Sequence, residues 1–367
     1  MSEDPRRLAA QLATVCDAAG PMAFMEVCGT HTVALFRSGL KSMLPPDLRL
    51  VSGPGCPVCV TAQGYIDAAI ALAREPGTTV ATYGDMVRVP GTTGSLAEAR
   101  ASGGDILVCF GARDAVAHAR AHPERQVVFL AVGFETTAPG SAVAVLEAAA
   151  AGLDNFSILP GHKLVVPAMT ALLDAGAIPL QGFLCPGHVS VIIGSEAYAP
   201  LVTRFAKSCV VAGFEPDSML HALLRLTEAA RDGTPVLDNT YAGVVAPGGN
   251  PHARAIVERV FTPADATWRA MGVIPDSGLA LRPAYAGFDA RTRFGVDVDA
   301  DLHAPGCRCG EVIQGMCEPA QCTLFGTTCT PTRPIGPCMV SSEGTCAAWY
   351  RYGGVTSAPR GAGGAGR

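Results

Sequence analysis

The residues best able to do chemistry in this chain are thiols. It carries fourteen cysteines, and most of them fall in two groups. The first lies between Met25 and Cys59, where MEVCGTHT is followed by GPGCPVC. In the second motif Gly53, Pro54 and Gly55 shape a turn, and Cys56 and Cys59 stand i, i+3 at the mouth of a predicted helix. The free N–H groups and positive end of such a helix favour thiolate over thiol. A redox dithiol fits this geometry. Half of a structural zinc site is the alternative, but it needs a second ligand pair, and the chain has no other CxxC. Cys28 and His31 in CGTH have the same strand–turn–helix setting. A soft thiolate with an imidazole suits iron, zinc or copper, and the same pair suits a nucleophile with its base.

The second group comprises Cys307, Cys309, Cys317, Cys322, Cys329, Cys338 and Cys346, set between Gly/Pro turns. Their density points to a metal site. Zinc favours two close pairs, whereas an iron–sulfur cluster needs four thiolates and tolerates wide, uneven spacing. Seven thiols for four positions leave the ligand choice open. Other polar residues fall at the ends of predicted strands: Glu135 and Thr136 in GFETTAP, His162 in LPGHK and His188 in CPGHVS. Glu135 suits the orienting of a ligand histidine or the shuttling of a proton. The two Pro-Gly-His turns form a weak repeat that predicts two histidines at one sheet edge.

The elements that must position these groups alternate short apolar runs with helical segments, the pattern of βα units and a mainly parallel sheet. An amphipathic helix over 1–20, with Leu8, Leu12 and Val15 on one side, precedes them. AFMEV, LRLVS, TTVATY, DILVCF and QVVFLAV read as buried strands, then FSIL, GFLC and CVVAGF. The expected fold is α/β: two similar parallel-sheet domains around a cleft, at 1–130 and 131–245, with a smaller irregular metal-binding domain at 246–352. The Gly-rich end, 353–367, reads as disordered.

Hydrophobic residues make up 49% and charged residues 16%, with 42 Gly and 28 Pro, as in a well-buried α/β protein with many turns. A net charge of −5 without a Lys/Arg cluster argues against nucleic acid. No signal-peptide pattern or apolar run of membrane-spanning length is found, so a reducing, cytoplasmic setting is expected. There, cysteines mean metal or redox chemistry more often than a disulfide framework. No Walker loop or GxGxxG follows a strand, so nucleotide chemistry is assigned to a partner.

CGTH at 28–31, GPGCPVC at 53–59, GFETTAP at 133–139 and CPGHVS at 185–190 resemble the signature motifs of the HypD family of [NiFe]-hydrogenase maturation factors. So does CTLFGTTCTP…PIGPCMVSSEGTCAAWY, and the resemblance spans roughly residues 22–352 in the right order. It implies a [4Fe–4S] cluster on the pattern Cys-x14-Cys-x6-Cys-x16-Cys, which maps onto Cys307, Cys322, Cys329 and Cys346 and leaves out Cys309, Cys317 and Cys338. It also implies that Cys28 and His31 hold an iron carrying CN and CO ligands, while Cys56 and Cys59 work as a redox dithiol. The implied partners are the chaperone HypC and the cyanide donor HypE, with the Fe(CN)2(CO) group as their joint product. A stand-alone thiol–disulfide oxidoreductase with a structural C-terminal metal site is the competing expectation. Whether such a scaffold counts as an enzyme stays open.

Overall fold

The computed structural model describes residues 4–302 and 304–353; the expected disorder of the C-terminal tail falls, from 354 on, outside the described residues. The strands in chain order are β1 (Met22–Glu26), β2 (Leu48–Ser52), β3 (Thr78–Thr82), β4 (Asp105–Val108), β5 (Gln126–Gly133), β6 (Phe156–His162), β7 (Gly182–Pro186), β8 (Ser208–Ala212), β9 (Leu237–Asn239), β10 (Phe261–Trp268) and β11 (Gly272–Leu281). One parallel sheet has the order β2-β1-β7-β8-β9 and a second the order β4-β3-β5-β6. β10 and β11 form an antiparallel hairpin with a register shift between Ala264 and Ala266.

The apolar runs form strands because helices cover them. β7 and β8 are buried throughout, and β5 is buried at every residue but its first. Asp4 caps the helix Pro5–Ala19, which buries Leu8, Leu12 and Cys16 against the helix Pro216–Arg231. Cys16 takes the place expected for Val15, because i, i+4 spacing keeps these three on one face.

Each sheet starts on an inner strand. From β1 the chain goes to β2 on one side and later to β7 on the other; from β3 it goes to β4 and then across to β5. Each sheet therefore has a topological switch point, and ligands of open α/β sheets bind beyond the strand carboxyl ends there. Cys28 follows β1, His188 follows β7, Asp85 follows β3 and the GFETT turn follows β5.

The two sheets do not follow a division at residue 130. The first takes strands from 22–52 and 182–239, the second from 78–162, and β5 itself runs across the expected boundary. Consecutive βα units look alike in sequence, and nothing local says which sheet a strand joins. The region from 246 also differs from the expected single module. The helix Pro251–Val260 packs on the helix Ala138–Ala150, and the hairpin packs on β6 and on the helix Val165–Ala175. Pro263, Pro275 and the glycines hid this hairpin, since proline inside a run argues against a strand unless it lies at an edge. Past residue 295 the chain is irregular, with short helices at Cys309–Ile313, Pro337–Val340 and Thr345–Tyr352. Among the described residues no helix is long and apolar enough to cross a membrane.

Candidate metal and redox site

Three turns are pressed together at the end of the first sheet. Cys28 is the residue before the helix Gly29–Arg37, and its N–H donates to Glu26 Oε2 at 3.2 Å. The Gly29 N–H donates to the Gly55 carbonyl at 3.0 Å, joining the CGTH turn to the CPVC turn. A Cβ on Gly55 would lie 2.2 Å from the Cys28 nitrogen, and one on Gly29 would lie 2.5 Å from Glu343. Only glycine allows this approach at either position. The third turn is SSEG at 341–344, whose Glu343 Oε1 accepts from the Thr30 hydroxyl at 2.7 Å.

These turns open on a cleft of about 450 Å3 whose lining includes Cys28, Asp85, Phe134, Thr136, His188 and Glu343. Burial, with the charge of Glu343 next, pushes the Cys28 thiol up to about 12. Cys28 is therefore a protonated thiol at neutral pH and must lose its proton to bind a soft metal. Glu26 behind it is buried, is pushed up to about 7 by that burial, and accepts a short hydrogen bond from the Thr32 hydroxyl. Nothing in its strand sequence singled it out.

Cys56 and Cys59 are joined as a disulfide with their Cα atoms 5.3 Å apart. Their expected i, i+3 geometry is thus realised on the short helix Pro57–Val60, whose first residue is proline. Cys59 is fully buried and Cys56 is 5% exposed, so Cys56 is the sulfur nearer the solvent. The Ser341 hydroxyl is 3.3 Å from Cys56 Sγ.

The predicted polar residues do not all meet at the cleft. His31 is fully buried and does not line it. Its Nε2 is 2.9 Å from the Gly213 carbonyl, which fixes that nitrogen as the donor, and its Nδ1 has no partner. Burial holds its pKa at about 4, so the ring is neutral and Nδ1 is a free lone pair. Glu135 also lies away from the cleft lining: its Oε1 accepts the Val165 N–H at 3.0 Å, at the start of the helix Val165–Ala175, and burial pushes it up to about 7. Thr136, its neighbour, lines the cleft instead. The two Pro-Gly-His turns part company. His188 lines the cleft with its ring 4.1 Å from that of Phe214, which also sits 4.7 Å from His31. His162 ends β6 in the other sheet and pairs with Ser141 at 3.1 Å. The repeat is real in sequence, yet each copy closes a strand of a different sheet.

Of the seven C-terminal cysteines, six line one pocket: Cys307, Cys309, Cys322, Cys329, Cys338 and Cys346. Cys317 lines a different cavity, beside Glu26. All four thiols of the expected pattern are thus gathered, and Cys309 and Cys338 join them. The thiols of Cys307 and Cys309, Cys309 and Cys338, and Cys338 and Cys346 are neighbours close enough to perturb one another's ionisation. Backbone N–H groups of Cys346 and Ile335 donate to Cys338 Sγ at 3.1 Å and Cys329 Sγ at 3.4 Å. Among the described residues no three Cys, His, Asp or Glu side chains converge on a point suited to a single metal ion. A four-iron cluster spreads its thiolates around a larger core, and the pocket suits one in kind. Gly336 leaves space that a Cβ would fill at 2.8 Å from Cys307 Sγ. The buried guanidinium of Arg269 shares a cavity wall with Cys307 and Cys309 and has an unpartnered Nη2, a cation ready for an anionic centre.

The site thus belongs to a doubly switched α/β scaffold that carries a cleft thiol, a disulfide turn and a many-thiol pocket. Over residues 4–353 the chain matches the family described as HypD, hydrogenase formation hypA family. It is 44% identical over 355 residues to the hydrogenase maturation factor HypD of Azotobacter vinelandii, covering 95% of this chain and 94% of that one. The HypD of Rhizobium leguminosarum bv. viciae is 45% identical over 354 residues, 94% and 92% of the two chains. That of Escherichia coli is 42% identical over 333 residues, 90% and 89%. The chain belongs to the HypD family.

Proposed function

We propose that this protein is a hydrogenase maturation scaffold on which an iron with cyanide and carbonyl ligands is assembled at Cys28, with Cys56 and Cys59 as the redox pair. The observation that carries this reading is the path of one segment. Residues 337–346 hold Cys338 and Cys346 at the thiol pocket, bring Ser341 against Cys56, and set Glu343 against the CGTH turn. The helix Pro337–Val340 packs directly on the CPVC helix. Pocket, disulfide and Cys28 are therefore mechanically continuous.

Cys28 binds the iron as thiolate, giving up its proton. His31 Nδ1 is the free lone pair nearest in sequence to add a second ligand, once the ring turns from its present buried seat. Glu26 holds the Cys28 backbone through its N–H and fixes where the thiol begins. The cleft gives a HypC-type chaperone and a HypE-type cyanide donor access to Cys28, and His188 stands on its wall. Four of the thiols of Cys307, Cys309, Cys322, Cys329, Cys338 and Cys346 would hold a [4Fe–4S] cluster, and Arg269 would offset its charge. Such a cluster would supply single electrons at low potential.

The test is infrared and visible spectroscopy on protein purified without oxygen together with its maturation partners. Wild type should show cyanide and carbonyl stretching bands and a broad brown absorbance. Cys28→Ala should lose the bands and keep the absorbance; bands that persist in Cys28→Ala overturn the iron-ligand role. A stand-alone thiol–disulfide oxidoreductase is the second reading, favoured by the disulfide itself. The burial of both sulfurs argues against it, because a folded protein substrate could not dock on them, and Cys56 keeps only the 5% exposure that a small reagent can use. Rapid partner-free turnover on small disulfides, abolished by Cys56→Ser, would establish that second reading.

A further inference from the structure

Ser341 makes three contacts, and the redox reading uses only the one with Cys56. Its Oγ accepts the Glu343 N–H at 3.2 Å. Its single hydroxyl hydrogen then has two possible acceptors, Asp85 Oδ2 at 3.2 Å and Cys56 Sγ at 3.3 Å. One hydrogen cannot serve both. Asp85 is well placed to hold it in the oxidised form, since a disulfide sulfur accepts weakly and a carboxylate strongly. Asp85 Oδ2 is itself fixed by the Ser342 N–H at 2.7 Å and the Ser342 hydroxyl at 2.8 Å, and it stands on the cleft wall.

We propose that Ser341 is a hydroxyl switch that turns from Asp85 to Cys56 when the disulfide opens, and so sets the reactivity of the Cys56 thiolate. This rests on the dithiol reading above. Reduction of the disulfide takes two electrons and two protons and leaves two thiols; the reductant is an iron–sulfur centre or a soluble dithiol. Reoxidation passes both electrons to an oxidised iron–sulfur centre, one at a time, or to a soluble disulfide, releases both protons, and begins when the Cys56 thiol loses its proton. A hydrogen bond to the charged form favours that form. The Ser341 hydroxyl supplies this bond to the sulfur, while the Asp85 charge opposes it from the far side. Cys59 lies fully buried behind Cys56, so Cys56 is the sulfur that Ser341 controls.

Other titratable groups surround this point. Glu343 and Cys28 come from the neighbouring turns, Cys309 and Glu311 from the helix Cys309–Ile313, and Cys338 from the helix Pro337–Val340, both packed on the CPVC helix. Glu311 is paired with Arg308. Of these groups and Asp85, the hydroxyl bond joins only Asp85 to Cys56. The proposal therefore predicts opposite effects from the two sides of the switch.

The experiment uses the full chain, reduced without oxygen by a soluble dithiol that is then removed. Alkylation of Cys56 by iodoacetamide is followed against pH by mass spectrometry of the Cys56 peptide. Ser341→Ala should slow alkylation at pH 7 by about tenfold and move the pH midpoint up, as expected for a lost hydrogen bond to a charged group. Asp85→Asn should speed it by a similar factor and move the midpoint down. Ser341→Thr, which keeps a hydroxyl, should stay close to wild type. Equal rates in Ser341→Ala and wild type at every pH would overturn the switch. So would slowing in both Ser341→Ala and Asp85→Asn, the mark of shared structural damage. If wild-type Cys56 and Cys59 fail to cycle reversibly between disulfide and dithiol, the redox-pair reading fails and the switch with it; if they cycle and the variants do not diverge, the switch alone fails.

Discussion

Adding one methyl group at Gly55 tests the packing of the two thiol turns most directly. In Gly55→Ala the new Cβ would lie 2.2 Å from the Cys28 nitrogen, 2.4 Å from the Val27 carbonyl carbon and 2.5 Å from the Cys28 Cα. Ordinary contact starts at 3.4 Å, so the CGTH and CPVC turns must part by about 1 Å. All three obstructing atoms are backbone, so no side chain can rotate away. Overpacking costs about 1–3 kcal/mol where side chains can yield, and the upper end applies here. The Gly29–Gly55 hydrogen bond stretches as well. For a chain of 367 residues the expected fall in Tm is roughly 3–4 °C. Calorimetry measures it, and the same protein should lose cyanide bands in the infrared because Cys28 moves relative to the dithiol. Gly140→Ala is the matched control. That glycine lies in the helix Ala138–Ala150 with nothing within 4 Å of a new Cβ, and alanine there should stabilise by about 0.5–1 kcal/mol. A Gly55→Ala protein with wild-type Tm and intact bands would refute the close-approach reasoning.

Three further outcomes follow from the site. With the Cys28 thiol pushed up to about 12, ferrous iron must displace its proton, so apparent iron affinity should rise about tenfold per pH unit between pH 6.5 and 8.5; competition with a chelator measures this, and a flat profile excludes Cys28 as the thiolate ligand. Glu135 is held up at about 7 against an ordinary 4.5, so its contribution to stability is full below 4.5 and is lost as pH rises through 7. Glu135→Gln keeps an acceptor for the Val165 N–H and removes that loss; in urea titrations it should exceed wild type at pH 8 by up to ~3 kcal/mol, with the gap shrinking towards pH 5. Gly336→Ala places a Cβ 2.8 Å from Cys307 Sγ, and iron and sulfide content after anaerobic reconstitution should fall well below wild type, while unchanged content would show that the pocket does not depend on this space.

Several features of the site were legible because they depend on local order. The strand-turn-helix settings of Cys28 and of Cys56 and Cys59 follow from apolar runs broken by Gly and Pro, and each is found where expected. The clustering of cysteines after residue 307 likewise reflects a pocket that takes in six of them. His31 and Glu135 were legible as polar residues at strand ends but not as buried ones. Their seats depend on Gly213 and on Val165, and no local pattern predicts such distant partners. Asp85 and Glu343 drew no notice, since a carboxylate in a loop looks like a solvated charge until the loop is folded against a thiol turn.

The one-dimensional order of residues was enough to define the α/β class, the grouping of the thiols and the HypD resemblance, because periodicity and short motifs are local properties. It did not decide which strands share a sheet. β1 and β2 join β7, β8 and β9 only after the chain has built the second sheet between them. That long return brings His188 to the cleft that Cys28 opens on and sends His162 elsewhere. The final closure is made by residues 337–346, which meet a turn nearly three hundred positions earlier and join the thiol pocket to the disulfide. Such pairings are set by the burial of whole sheet faces and by backbone contacts between glycine turns, which a sequence records only one partner at a time.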